Sequence, residues 1–133
     1  MVMSIKQLFF TFFVLSLCLP ISVEAANWVM VESFSYRGET FNTYIDTESI
    51  RNAKAGEKEV LIQLETIPCS QLGSKCSSFA LQDGIFFANK TFCIIDHATI
   101  YTDGSNDRIR YLCEPKPISS LSSRMRVWEY LFQ

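Results

Sequence analysis

His97 is the only histidine of the chain, and Asp96 stands beside it. Correctly oriented, such a pair could act as a base and its orienting acid. The flanking residues, Phe92 to Ile95 and Ala98 to Tyr101, read as extended strand, where neighbouring side chains point to opposite faces. No nucleophile-elbow sequence accompanies them, so His97 reads as an ordinary strand histidine and no catalytic set is assigned. Asp46 with Glu48, and Asp103 with Asn106 and Asp107, could be oxygen ligands for a cation. The distant glutamate of a calcium loop is missing, and Asp and Asn also build turns by bonding nearby backbone N–H groups. The turn reading is preferred at both places. No metal or cofactor is expected.

The chain has five cysteines. Cys18 falls in an apolar N-terminal run, leaving Cys69, Cys76, Cys93 and Cys113. With no paired C-x-x-C knuckle and only one histidine, zinc is a poor fit. An even count in a small exported chain reads as disulfides. Four cysteines allow three pairings. The favoured one closes the polar loop with Cys69–Cys76 and joins two later strands with Cys93–Cys113. Arg108, Arg110, Arg124 and Arg126 could gather into a basic patch for an acidic polysaccharide, although alternating strand arginines usually form a solvated face. Asn89-Lys90-Thr91 fits a glycosylation sequon, which has meaning only in a eukaryotic secretory host. A net charge of −2 with no basic stripe argues against nucleic acid as a partner.

The elements that must position these residues begin after a leader. Lys6 precedes an apolar run from Leu8 to Leu19, Pro20 ends the run, and Val23-Glu24-Ala25 fits a signal-peptidase site. The run is shorter than the roughly 20 residues a membrane-spanning helix needs. Leu17, before Cys18, is not the small residue that lipidation wants. The reading is therefore a leader over 1–25 and one domain over 26–133, with no transmembrane segment in the mature chain.

Within that domain, Trp28, Met30 and Phe34 share one side of a first strand and Val29 and Val31 the other. A turn with Gly38 at positive φ leads to a second strand, about 40–46, with Phe41, Thr43 and Ile45 on one face. Asp46 to Glu57 reads as a polar loop with one helical turn at most. Lys58 to Ile67 is the clearest strand: Val60, Ile62 and Leu64 alternate against Gln63 and Glu65. Two extended segments fill 79–101, broken near Asp83-Gly84 or at Ala88-Asn89-Lys90. Thr102 to Asp107 is a turn, and Arg108 to Cys113 a last strand with Ile109, Tyr111 and Cys113 inward. Beyond Pro115 and Pro117 the period becomes helical: Ile118, Leu121, Met125, Trp128 and Phe132 fall on one side, with Ser119 or Ser120 as N-cap. The expected fold is α+β: an antiparallel five- to six-stranded sheet with the C-terminal helix packed on one face. An exposed edge strand leaves homodimer pairing open.

Asn27-Trp28-Val29-Met30-Val31, then Tyr44-Ile45-Asp46-Thr47-Glu48-Ser49-Ile50 and Glu59-Val60-Leu61-Ile62, resembles the surface-adhesin protein E family of Gram-negative bacteria. Phe92-Cys93, Tyr101-Thr102-Asp103-Gly104 and Pro117-Ile118-Ser119 fit its later parts loosely. The resemblance spans most of the domain and implies a sheet with a C-terminal helix on its concave side. It also implies a protein partner from host matrix or plasma. The family's cysteine near the C-terminus has no counterpart in Trp128 to Gln133. The alternative is a periplasmic accessory or inhibitor domain that is never displayed on the surface.

Overall fold

The computed structural model describes residues 26–67 and 77–133. The expected leader, Cys69 and Cys76 lie outside them. Six strands follow one another as a meander, each antiparallel to the last: β1 (Trp28–Tyr36), β2 (Glu39–Lys54), β3 (Glu57–Ile67), β4 (Ser77–Phe87), β5 (Thr91–Tyr101) and β6 (Asn106–Arg110). A two-residue strand, β7 (Lys116–Pro117), pairs with the start of β5, and the helix α1 (Ser123–Leu131) closes the chain. The sheet is thus one strand larger than expected, because the segment after β6 returns to the part of β5 that β6 leaves uncovered.

Local chemistry explains the hairpins. Between β1 and β2 the two turn residues, Arg37 and Gly38, have φ of 52° and 81°. Positive φ at both places matches the right-handed twist of the flanking strands. In the β2–β3 turn only the second turn residue, Gly56 at φ 75°, takes positive φ. The β4–β5 break falls at Ala88-Asn89-Lys90, where Lys90 takes φ 65° and its N–H returns to the Phe87 carbonyl at 3.0 Å. Asp83-Gly84 is interior to β4.

Alternation places the core as expected in β3: Val60 and Ile62 are fully buried and Leu64 packs beside them. Ile45 lies opposite Ile62, and Phe86 and Ile118 join the same cluster. From the helix, Met125, Val127 and Leu131 complete it, so α1 covers one face of the sheet. Each such side chain contributes roughly 1.5–3 kcal/mol of burial.

Several expectations are corrected. In β1 the register shifts between Met30 and Glu32, a bulge that inserts Val31. One extra residue reverses the alternation, so Phe34 shares the face of Val29 rather than that of Trp28 and Met30. The expected loop at 46–57 is strand as far as Lys54, because a second irregularity after Asp46 bends β2 without ending it. Ile109 and Tyr111 are about half exposed instead of inward, since the nine-residue helix does not reach that edge. Leu121, at 93 % exposure, precedes the helix and is not on its buried stripe. The N-cap is Ser122 rather than Ser119 or Ser120; its hydroxyl donates to the Ser119 carbonyl, and it makes no side-chain cap bond.

Candidate functional site

His97 and Asp96 diverge as strand geometry requires. Asp96 turns to the face away from the helix and accepts a two-pronged bond from Arg108, with Nε at 3.0 Å from Oδ1. That bond holds the Asp96 carboxyl below the usual carboxylate range. His97 faces the helix side, where Gln82 lies directly opposite on β4. Gln82 Nε2 is 3.0 Å from His97 Nδ1, and His97 Nε2 is 3.0 Å from Thr99 Oγ1. With the Gln82 amide nitrogen donating, Nδ1 accepts and Nε2–H donates to Thr99, one consistent neutral tautomer.

Both carboxylate sets read as cation candidates act as turn and bulge formers. Asp46 is buried, and its Oδ1 accepts from the backbone N–H of Asn27 and of Glu48, each at 3.0 Å. Asp103 Oδ1 accepts from Ser105 N–H at 2.9 Å, and Asp107 accepts from the Tyr101 hydroxyl. Ser49 completes the first device. Its hydroxyl donates to the Asp46 carbonyl at 2.7 Å and accepts Leu61 N–H at 2.8 Å. The side chain thereby replaces a ladder bond that the bulge removes. Tyr44 to Ile50 is therefore a strand-bending segment.

The four arginines do not gather. Arg108 and Arg110 pair with Asp96 on the far face, Arg126 pairs with Glu129, and Arg124 stands apart on the helix side. The far face carries a second ionic group. Arg51 Nη2 meets Glu59 at 2.6 Å, and Asp83 lies beside Glu59. Burial, then the hydrogen bond and charge of Glu59, push the Asp83 carboxyl up to about 7, against the opposing pull of Arg51.

A concavity of about 430 Å³ lies on the helix side. Gln82, His97, Phe92 and Ile94 form its floor, and Tyr111, Leu112 and Lys116 its outer wall. That wall is the strap between β6 and β7. Tyr111 N–H bonds the Ile95 carbonyl at 3.0 Å, Ile118 N–H bonds the Lys90 carbonyl at 3.1 Å, and Cys113 forms a disulfide with Cys93 on β5. Arg124 borders the cavity from the first turn of α1, and its guanidinium lies 4.7 Å from the Phe92 ring centre. Burial pulls the Arg124 pKa down from its ordinary value. A smaller hollow of about 70 Å³, between Thr43, Leu64 and Val127, shares Arg124 and Gln82 with the first.

No family model, curated protein or solved structure matches the chain.

Sequence reasoning missed Gln82 and named Arg124 only within a basic patch, not as a cavity residue, and each carried a signal. Arg124, Val127, Trp128 and Leu131 fall at i, i+3, i+4 and i+7, so a cation opens the buried stripe. Gln82 takes an inward place between Ala80 and Gly84, where an apolar side chain is the rule. No helix of the described residues is long and apolar enough to cross a membrane.

Proposed function

We propose that this chain is an exported, non-enzymatic binding protein of the surface-adhesin E type, taking a host matrix or plasma protein as its partner. The observation that carries the reading is the Cys93–Cys113 disulfide, which closes a strap over the binding-sized cavity at β5. Disulfides persist in oxidising compartments outside the cytosol. Here the bond fixes the outer wall of a recess, so oxidation outside the cytosol and formation of the recess go together. The strand-bending segment Tyr44 to Ile50 adds support through its likeness to the adhesin family.

The test uses the oxidised mature chain against immobilised matrix and plasma proteins. Saturable binding to one or a few of them is expected, and it should weaken on reduction. Uniform failure across a broad panel ends the proposal. Protease shaving of intact producing cells then separates display from a periplasmic accessory role, since a periplasmic protein is spared.

A further inference from the structure

Arg124 is a half-buried charge that makes no ion pair among the described residues. Its Nε is buried and has no hydrogen-bond partner, and no carboxylate among the described residues pairs with it. Stacking on Phe92 compensates part of the lost hydration, because an aromatic face attracts a cation. It supplies no acceptor for the guanidinium N–H groups. A buried N–H donor without an acceptor is costly, and an anion entering beside this half-buried guanidinium would relieve that cost.

The surroundings say which anion. Lys116, on the strap wall, adds a second positive charge to the cavity, and Glu114 a single negative one. The balance favours one anionic charge over two. Phe92, Ile94 and Leu112 give the same cavity apolar surface, and about 430 Å³ falls within the range of small-ligand sites. His97 and Gln82 on the floor are occupied with each other and with Thr99, leaving Arg124 as the principal donor.

We infer that the cavity between the strap and Arg124 binds a monoanionic carboxylate carried on an apolar body, its head on Arg124 and Lys116 and its body over Phe92, Ile94 and Leu112. That chemistry is shared by a free aliphatic acid and by the C-terminal carboxylate of a chain ending in an apolar residue. The inference deepens the binding-protein reading and rests on it for its biological setting.

Isothermal titration of the oxidised mature chain tests it. The probes are octanoate against octanamide, and a short leucine-terminated peptide with a free against an amidated end. Each acid should bind at least about tenfold more tightly than its neutral counterpart; the arm with the greater affinity identifies the source. Arg124→Gln should weaken acid binding about tenfold, whereas Arg126→Gln, which removes a charge already paired with Glu129, should leave it unchanged. If Arg124→Gln fails to fold, Lys116→Glu on the exposed strap must produce the loss. Equal binding of acid and amide, no saturation at millimolar concentration, or acid binding unaffected by the Arg124 and Lys116 changes overturns the inference. Macromolecular binding that persists while the carboxylate probes fail removes this inference alone and leaves the proposed function standing.

Discussion

The indole N–H of Trp128 donates to the main-chain carbonyl of Phe87 at 2.8 Å, joining the helix to the end of β4 across 41 residues of sequence. One more long-range bond and one cation–ring contact cluster there. Lys58 Nζ donates to the Leu131 carbonyl at 2.8 Å, satisfying a terminal helix acceptor with a positive charge where the helix dipole favours one. Lys90 Nζ lies 5.1 Å from the Trp128 ring centre. Trp128→Phe keeps most of the apolar contact but removes the indole donor, leaving the Phe87 carbonyl with the Lys90 N–H alone. It should lower unfolding free energy by about 0.5–1.5 kcal/mol in urea titration followed by circular dichroism. An unchanged midpoint would show that the bond is not part of what holds the helix.

Ser49→Ala tests the bend in β2. The Leu61 N–H loses its acceptor at a place where the ladder cannot supply another. A loss of about 1–3 kcal/mol is expected. Thr at the same position retains the hydroxyl and should recover part of it. Equal stability of the alanine and wild-type chains would refute the role given to this side chain.

Reduction of Cys93–Cys113, or Cys113→Ser, opens a loop whose ends are 20 residues apart. Closing a loop of that size is worth about 3 kcal/mol through the unfolded chain. A fall in thermal midpoint on adding reductant checks it. The cavity should suffer more than the sheet, since the strap is what the bond retains.

Asp83 predicts a pH dependence. Its carboxyl is raised from 3.8 to about 7 in the folded protein. The folded chain therefore holds this proton more tightly than the unfolded chain does. The associated stability is fully present below about pH 4 and is lost as pH rises through about 7. Asp83→Asn abolishes that slope. After allowance for solvent screening at a partly exposed site, it should stabilise the protein by about 1–2 kcal/mol at pH 8 and little at pH 4. Parallel stability–pH curves for the two proteins would contradict the assignment.

The parts of the fold legible in the sequence are those with unbroken period. Val60, Ile62 and Leu64 alternate without interruption, and the turn at Arg37-Gly38 is signalled by its glycine. What stayed hidden depends on residues inserted into one strand of a pair. The bulges at Val31 and after Asp46, and the shift in β5 at Ile95, reverse or restart an alternation that looks continuous along the chain. Asp46, Glu48 and Ser49 resemble a loop because they are turn formers, yet here they mend a strand. The helix was legible as a period but not as a boundary: Ile118 is buried and Leu121 is not, although the two lie three apart. Gln82 escapes notice, and Arg124 reads only as part of a basic patch, because each occupies a place where periodicity expects an apolar residue.

The helix is fastened unevenly. Trp128 and the Leu131 carbonyl fix its last turn to the sheet, whereas Ser122 supplies no side-chain bond to its first. A rigid rod secured at one end pivots there, and the far tip sweeps the widest arc. Seven residues separate Leu131 from Arg124, a lever arm of about 10 Å at the ordinary helical rise. The guanidinium therefore stands at the end that lacks a side-chain cap bond, where amide exchange should be faster than in the last turn. Amide exchange that is slower in the opening turn than in the closing one would show the fulcrum to be elsewhere.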